Sequence, residues 1–343
     1  ALYRGGLKIY STQDTSIQKI CDSVFSNPDY FPVATKFALS YQLSITDSSG
    51  KNVNYSENDV LNYLKKTNTD ATLNFDSEDE AKEAAKNFKE ATITEFDKVL
   101  GENVQAIIQP QASFVLMDQS TGYVKALVGG RGEKNGNLTL NRATATTRQP
   151  GSTFKVVSTF VPALDTSGLT LASTFDDCLY CYDGTDKVVN NYYDTGYRGM
   201  SSIREAIRDS MNVVTAKTMS IVTPQIGYDY LMKMGFTTLE AGSTYSDGKV
   251  YSDVQQTLCL GGITKGVTNL ELTAAYATIA NQGTYNQPVL YTKILDADDN
   301  IILDNTQETR QVMKESTSWL MINAMKDVVN AGTGTSAKLA CGM

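Results

Sequence analysis

The sequence of 343 residues predicts an α+β protein that contains a small α+β subdomain between about residues 27 and 108. Apolar residues at helical spacing follow residues suited to cap helices, and these segments are interspersed with strand-like segments. Apolar residues make up 41% of the chain, which is ample for a buried core. One strand shows the alternation of a half-buried sheet, with an apolar face made of Phe37, Leu39, Tyr41, Leu43 and Ile45.

Capping and periodicity patterns place the elements in order along the chain. Before residue 100 they predict a strand over 7–12, a helix after Asp14, the strand over 37–45, and helices over Glu57–Lys66 and Glu78–Lys89. After residue 110 they predict a hairpin over 111–130, a helix opened by Pro150–Gly151, a helix after Ser202, helical spacing over Val213–Ile221, and a helix over Leu270–Ala280. Pairs with capping-box spacing are Ser77 with Glu80, Ser202 with Glu205, and Thr268 with Glu271.

Composition excludes several classes of function. The formal charge of −8 argues against nucleic-acid binding and gives no reason to expect an acidic membrane surface as a partner. No run of 18 apolar residues occurs, so no part of the chain is predicted to span a membrane. No basic region followed by an apolar core opens the chain, so Ala1 is not expected to begin a secretory precursor.

Cysteine spacing raises one question about metal binding. Cys178 and Cys181 have the spacing of half a zinc site, but the sequence has no histidine and no second such pair. A local disulfide or two free thiols therefore explains the pair better than a metal does. We expect no cofactor and no metal.

The segment from Gln149 to Lys155 suggests nucleophilic catalysis. Ser152 lies three residues before Lys155, so a helix would place hydroxyl and amine on one face. The chain has no histidine to serve as the base, and a lysine can do so when burial or a nearby cation lowers its pKa. The positive N-terminal end of a helix disfavours the ammonium and favours a developing oxyanion. An exposed helical pair without function is the alternative.

A second polar motif, Ser210-Met211-Asn212, lies between two helical stretches. The hydroxyl of Ser210 could relay a proton toward a leaving amine, and the amide of Asn212 could hold a substrate carbonyl. Serine and asparagine are also good helix caps, so capping is the alternative interpretation.

With these motifs in order, the chain resembles the transpeptidase domain of class A (bifunctional) penicillin-binding proteins. The resemblance covers residues 1–26 and 109–343. Its stretches are Tyr3–Asp14, Thr121–Val124, Val128–Arg131, Arg148–Lys155, Asn191–Gly199, Ser210–Asn212, Leu260–Gly262, Gly266–Thr268 and Ala274–Ala277.

The resemblance implies a penicillin-binding/serine β-lactamase-like fold, with a central antiparallel sheet flanked by helices. Residues 1–26 would be the linker that follows a glycosyltransferase domain. Residues 27–108 would be an inserted α+β subdomain, and residues 109–343 the transpeptidase domain. The protein would act on the extracytoplasmic face of the bacterial membrane, with the membrane as a partner only through an N-terminal anchor upstream of this chain.

The resemblance also implies roles for four residues. Ser152 would attack the D-Ala-D-Ala carbonyl of a peptidoglycan stem peptide, with Lys155 as the base. Ser210 and Asn212 would complete the catalytic site and bind the substrate. D-Alanine would leave, and an amine of a neighbouring stem peptide would convert the ester into a cross-link. β-Lactam antibiotics would acylate the same serine.

One departure from the family pattern concerns its third motif, Lys-Thr/Ser-Gly, which is absent from the sequence. In the family, the stretch matching Ala331–Gly334 comes shortly before the strand with that motif. We therefore expect the given sequence to be truncated before the last strands of the domain. The lysine of that motif would be one cation that lowers the pKa of Lys155.

Two other classes of function remain as alternatives. A serine β-lactamase or D,D-carboxypeptidase shares the first two motifs, and a class A β-lactamase needs a glutamate to activate water. Glu240 is the candidate, but Thr244 stands where that pattern would have asparagine. A non-catalytic sensor of β-lactams or muropeptides, or a structural domain, is the second alternative.

Overall fold

Secondary structure follows the hydrophobic patterning of the chain in the computed structural model, which describes residues 5–31, 33–134, 136, 139–194 and 196–339. Tyr3 and Arg4 of the predicted linker lie outside the described residues, as does Cys341. The chain forms two compact units. The larger unit comprises residues 1–19, 114–127 and 140–343, and the smaller unit comprises residues 20–113 and 128–139.

Strands and helices alternate irregularly, as the α+β class requires. The first eight elements are β1 (Lys8–Ser11), α1 (Thr15–Ser26), β2 (Lys36–Thr46), β3 (Asn52–Ser56), α2 (Glu57–Lys65), β4 (Asn74–Phe75), α3 (Glu78–Thr92) and β5 (Lys98–Gln109). Those that follow are β6 (Phe114–Met117), β7 (Val124–Val128), α4 (Val161–Asp165), β8 (Thr174–Asp177), β9 (Gly199–Ser202), α5 (Ile203–Arg208), α6 (Asn212–Val222), α7 (Pro224–Lys233), β10 (Ala241–Thr244), β11 (Val250–Ser252), α8 (Asn269–Ala280), β12 (Thr284–Asn286), β13 (Tyr291–Leu295), β14 (Ile301–Asp304), β15 (Thr309–Gln311) and α9 (Glu315–Ala331).

The smaller unit is a four-stranded antiparallel sheet with two helices packed on it. β5 pairs with β2 over its whole length, from Lys36 opposite Gln109 to Thr46 opposite Lys98. β3 and β4 pair with the end and the start of β2. The alternation predicted for β2 is confirmed, since the side chains that it buries are Leu39, Tyr41, Leu43 and Ile45.

Helices α2 and α3 cover the apolar face of that sheet. Phe88 of α3 lies in the core and makes T-shaped ring contacts, with centroid distances of 5.7 Å to Tyr41, 5.7 Å to Tyr55 and 5.8 Å to Tyr63. Such edge-to-face contacts add to the free energy gained by burying the rings.

The cap of α3 differs from the predicted capping box in one respect. Ser77 Oγ accepts a hydrogen bond from the backbone N–H of Glu80, as expected. The carboxylate of Glu80, however, accepts from the backbone N–H of Asp76 at 3.0 Å, one residue before the cap. Both reciprocal bonds form at Ser202 with Glu205 and at Thr268 with Glu271, where the prediction is confirmed.

Strands of the larger unit confirm the antiparallel pairing of the predicted fold class, but in the described residues they form small sheets instead of one broad sheet. The three-stranded sheet has the order β1–β13–β14, and the pairs are β6–β7, β8–β9, β10–β11 and β12–β15. The buried hydroxyl of Thr12, one residue after β1, lies 2.9 Å from Val124 O on β7 and 2.8 Å from Val289 O in the segment before β13, so it links β7 to that segment.

A helical core fills the rest of the larger unit. Side chains of α4 to α9 and of the segment before α4 bury one contiguous cluster that includes Phe154, Phe160, Met211 and Leu231. Buried Asp165, at the end of α4, accepts hydrogen bonds from Tyr230 Oη on α7 and from Thr317 Oγ1 on α9, at 2.5 and 2.8 Å. Helix α4, which follows the first predicted motif, is therefore tied by packing and by a buried carboxylate to α7 and α9, which follow the second.

Replacing the buried aromatic ring of the smaller unit tests its packing. We expect Phe88→Ala to lower the free energy of unfolding of this unit by about 3–5 kcal/mol, because it removes a fully packed ring. Phe96→Ala is the matched control, since Phe96 is 73% exposed, and it should change stability by less than about 0.5 kcal/mol. Hydrogen exchange of β2, α3 and β5, measured by mass spectrometry in increasing denaturant, reports the loss. Equal effects of the two substitutions would contradict this packing.

Candidate active site

The exposed serine of the first predicted motif begins a helix whose other side is buried. Ser152 lies in a 3₁₀ turn over Gly151–Thr153, and a π turn over Val156–Phe160 leads on into α4. Phe154 is fully buried and Lys155 is 2% exposed, so the side of the turn that carries these two residues packs into the protein interior. This arrangement leaves Ser152 at the surface at the positive end of the helix.

Lys155 reaches the second motif. Its Nζ donates hydrogen bonds to the backbone oxygen of Ser210 at 2.6 Å, to Ser210 Oγ at 2.9 Å and to Asn212 Oδ1 at 2.6 Å. The structure therefore brings three of the four predicted site residues into direct contact. Ser152 Oγ has no hydrogen-bond partner among the described residues, so proton sharing between Ser152 and Lys155 stays a prediction.

The environment of Lys155 favours the neutral amine. Burial lowers the pKa of Lys155 from 10.5 to about 8, because the ammonium loses solvation and the three acceptors carry no formal charge. No carboxylate lies within 4 Å of its Nζ in the part of the chain that the structure describes. Desolvation therefore lowers the pKa of Lys155 toward neutral pH, without the cation that the family's third motif would add.

Ser210 holds its position through an unusual backbone conformation. Its φ is +52°, in the left-handed region that residues other than glycine seldom adopt. This conformation lies at the junction of α5 and α6, where the N–H of buried Met211 donates to Ala206 O at 3.0 Å. The turn directs both the backbone oxygen and the hydroxyl of Ser210 at Lys155. Such strain persists where the surrounding structure fixes it, and it is concentrated at functional sites.

Asn212 is held by a residue that the sequence did not identify as part of the site. It is the first residue of α6, and no side chain of the preceding residue caps this helix. Instead, Asn191 Oδ1 accepts from the backbone N–H groups of Asn212 (2.9 Å) and Val213 (3.3 Å). In addition, Asn212 Nδ2 donates to Asn190 O at 2.6 Å. The loop before β9 therefore caps α6 and orients the Asn212 amide.

Asp177, the last residue of β8, fixes that loop. Its carboxylate is fully buried and accepts from Asn191 Nδ2 at 2.8 Å, from Tyr193 Oη at 2.6 Å and from the backbone N–H of Arg198 at 2.9 Å. The only sequence signal for Asn191 was its place in the family-like stretch before the second motif, and nothing indicated the role of Asp177.

Two glycines allow a neighbouring segment to support the nucleophile turn. A Cβ on Gly261, whose φ is +72°, would lie 2.5 Å from backbone atoms of Gly151, and a Cβ on Gly266 would lie 2.5 Å from those of Arg148. The close approach permits the backbone of Arg148 to pair with Val267 at 3.0 and 2.9 Å. The side-chain amide of Gln149 likewise accepts from the N–H of Ile263 at 3.0 Å.

Glu240, the candidate for activating water in a β-lactamase, has a carboxylate that other side chains already bind. Lys265 Nζ lies 2.5 Å from its carboxylate, and Ser243 and Tyr245 donate hydrogen bonds to it. These contacts, that of Lys265 first, lower the pKa of Glu240 to about 2. A carboxylate so stabilised is a weak base, so its contacts do not favour a hydrolytic role.

Neither metal ligation nor a membrane span is found in the described part of the chain. No three Cys, Asp or Glu side chains there converge as a metal site, and both Cys178 and Cys181 are free thiols. Among the described helices, none is both long enough and apolar enough to cross a bilayer.

Comparison with known sequences identifies the family. The model of the penicillin binding protein transpeptidase domain matches residues 112–342. Penicillin-binding protein 1A of Clostridium tetani is 30% identical over 271 residues, which cover 74% of this chain and 32% of that protein. Penicillin-binding protein 1F of Bacillus subtilis is 34% identical over 227 residues, covering 66% of this chain and 29% of that protein. The chain thus spans about a third of the length of the curated relatives it matches.

Solved structures agree on the fold. The penicillin-binding protein PonA1 from Mycobacterium tuberculosis has a TM-score of 0.60 at 19% identity, covering 99% of this chain and 67% of that one. Penicillin-Binding Protein 1A from Haemophilus influenzae has a TM-score of 0.61 at 16% identity, covering 97% and 56%. Since the family model matches most of the chain, this protein belongs to the penicillin-binding protein transpeptidase family.

Proposed function

We propose that this chain is a serine D,D-transpeptidase that cross-links peptidoglycan stem peptides and is acylated by β-lactams. The observation that carries this proposal is the buried amine of Lys155, in contact with Ser210 and Asn212 and three residues from an exposed serine. A related structure supports the ligand class, because the PonA1 protein of Mycobacterium tuberculosis has been solved in complex with penicillin V.

Acylation would begin when Lys155 loses a proton, which leaves a lone pair on Nζ. This neutral amine accepts the proton of Ser152 while Oγ forms a bond to the carbonyl carbon of the penultimate D-alanine. The helix N-terminus stabilises the charge that develops on the carbonyl oxygen. The C–N bond then breaks, Ser210 Oγ gives its proton to the departing amine of the terminal D-alanine, and Lys155 Nζ returns to Ser210 Oγ the proton that it took from Ser152. The product is an ester of Ser152.

Deacylation would complete the cross-link. An amine of a neighbouring stem peptide attacks the ester carbonyl, an amide bond forms as the C–O bond to Ser152 Oγ breaks, and the proton that the amine loses returns to Ser152. The Asn212 amide would bind the donor peptide. This role is supported by the contact of Asn212 Nδ2 with Asn190 O and by the hydrogen bond from the Asn212 backbone N–H to Asn191 Oδ1.

The organisation of the whole protein forms part of the same proposal. We assign residues 1–26 to a linker after a glycosyltransferase domain, residues 27–108 to an inserted subdomain and residues 109–343 to the transpeptidase domain. Because its substrate would be the cell wall, the protein would work on the extracytoplasmic face of the membrane, held there by an anchor upstream of this sequence. Its partners would be the donor and acceptor stem peptides, with no cofactor.

Removing the proposed nucleophile provides the first test. We expect Ser152→Ala in the full-length protein to reduce covalent labelling by a fluorescent penicillin on the order of 10⁴-fold or more, because the substitution removes the hydroxyl on which the proposed ester forms. Ser167→Ala is the control, since that hydroxyl makes a single 3.4 Å contact with Pro162 O and should keep full labelling. Persistent labelling of Ser152→Ala, seen on a gel and by mass spectrometry, would overturn the proposal.

A pH profile tests the role of Lys155. The neutral amine is the base, and with a pKa of about 8 it makes up roughly a hundredth of the protein at pH 6. The rate of penicillin acylation should therefore rise about tenfold per pH unit up to pH 8 and then level off. Lys155→Arg, which keeps the positive charge but cannot lose it, should remain inactive up to pH 9. A flat profile between pH 6 and 9 would remove Lys155 from this role.

Asn191 is a positioning residue that acts through Asn212. We expect Asn191→Ala to slow acylation and to move the midpoint of the pH profile to lower pH, because a displaced Asn212 no longer accepts a hydrogen bond from the ammonium. Asn191→Ser keeps a side-chain oxygen that can cap α6 and places no second carboxylate beside Asp177, so its midpoint should lie closer to that of the unchanged protein. Tyr192→Phe, at an exposed neighbour, is the control. An unchanged midpoint in Asn191→Ala would indicate a purely structural role.

A further inference from the structure

The two cysteines of the Cys178–Cys181 loop have no part in the proposed reaction. Both thiols are free and half-buried, and Cys178 directly follows β8. Their spacing is that of dithiols which cycle between reduced and disulfide forms, where one cysteine attacks and the other resolves. Neither residue is fully buried.

A lysine contacts the first of these sulfurs. Lys217 Nζ on α6 lies 3.2 Å from Cys178 Sγ and 2.6 Å from the backbone oxygen of Asp176. Within the described residues, no carboxylate lies within 4 Å of this ammonium, so its charge is free to act on the sulfur. A neighbouring cation stabilises the thiolate, which is the nucleophilic form of cysteine.

The chain around the pair is held in place. Tyr180, between the two cysteines, accepts from Gln256 Nε2 at 2.9 Å through its hydroxyl and from Val189 N at 2.9 Å through its backbone oxygen. The backbone of Cys181 forms an isolated antiparallel β-bridge with that of Val188. Cys178 is fixed on its other side by β8, so both thiols belong to ordered backbone.

We propose that Cys178 and Cys181 form a thiol–disulfide exchange site that reacts with low-molecular-weight disulfides, with Cys178 as the attacking thiol. The contact between Lys217 and Cys178 selects the attacking sulfur, and the spacing of three residues supplies the resolving one. This site lies outside the proposed acyl-transfer reaction and does not depend on it.

The exchange would run in two balanced steps. The Cys178 thiolate attacks one sulfur of a disulfide R–S–S–R, the S–S bond breaks, and R–S⁻ leaves and takes a proton from water. Cys181, after losing its proton, then attacks Cys178 Sγ of the mixed disulfide and displaces the second R–S⁻, which is also protonated. Two protein thiols lose two electrons and two protons, and the small disulfide gains them as two thiols.

Oxidation would affect the proposed acylation site through Asp177. This carboxylate precedes Cys178 directly and holds Asn191, which caps α6 at Asn212. Closing a disulfide at the next residue constrains the end of β8, and we expect a change of several-fold in the acylation rate. This second step rests on the proposed function.

Peptide mapping of the full-length protein tests the exchange site on its own. After incubation with oxidised glutathione, the peptide with both cysteines should lose two hydrogens, and Cys181→Ser should retain glutathione at Cys178. Lys217→Met should slow the reaction about tenfold, and Lys217→Arg should restore part of the rate. Lys233→Met removes a charge from α7 without touching a cysteine and serves as the control. Absence of a Cys178–Cys181 disulfide, or a Lys217→Met rate equal to that of the control, would overturn the proposal.

Penicillin labelling of the oxidised and reduced protein tests the link to acylation. We expect the acylation rates to differ several-fold, and a variant with both cysteines replaced by serine should not respond to the oxidant. Equal rates in a protein whose disulfide has formed would refute the link through Asp177. Loss of labelling in every form would refute the proposed function instead, while the mapped disulfide would still establish the exchange site.

Discussion

The burial of one ammonium group against three uncharged acceptors is the constraint on which the candidate site depends. Lys155 is 2% exposed, and its Nζ is satisfied by the backbone oxygen and hydroxyl of Ser210 and by Asn212 Oδ1. A buried charge without such partners would be strongly destabilising, so the hydrogen bonds are a condition for the fold as well as for the chemistry. They also explain why Ser210 keeps a left-handed conformation, since that turn directs both of its oxygens at the amine.

Segments distant in sequence support the contacts of Lys155 with Ser210 and Asn212. Asn212 is oriented by Asn191, and Asn191 is held by the buried carboxylate of Asp177. On the other side, the backbone of Gly261 approaches Gly151 so closely that any side chain there would collide with the nucleophile turn. The side chains of the short S-x-x-K and S-x-N motifs are thus held in position by residues that lie outside both motifs.

Sequence reasoning succeeded where the signal was local and failed where it was not. The strand alternation of β2 and the capping pairs at Ser202 and Thr268 each depend on residues a few positions apart, and all three were predicted. Strand β5 was missed, because Gly101 and Glu102 interrupt its apolar pattern, and it exists through pairing with β2. The buried roles of Thr12 and Asp177 were also missed, since a polar residue in sequence gives no sign of the distant groups that will satisfy it.

The absence of a negative partner within the described surroundings of Lys155 determines its chemistry. A carboxylate beside it would favour the ammonium and raise its pKa, whereas neutral acceptors leave desolvation as the dominant effect. An acidic group that acts on Lys155 is the thiol of Cys259, which is fully buried. Burial raises the pKa of Cys259 to about 12, with Lys155 opposing the shift, so this group stays uncharged near neutral pH. The apolar packing that hides Cys259 therefore also keeps the amine free to become a base, and a negatively charged residue at that position would stabilise the ammonium and oppose the reaction that the site is proposed to perform.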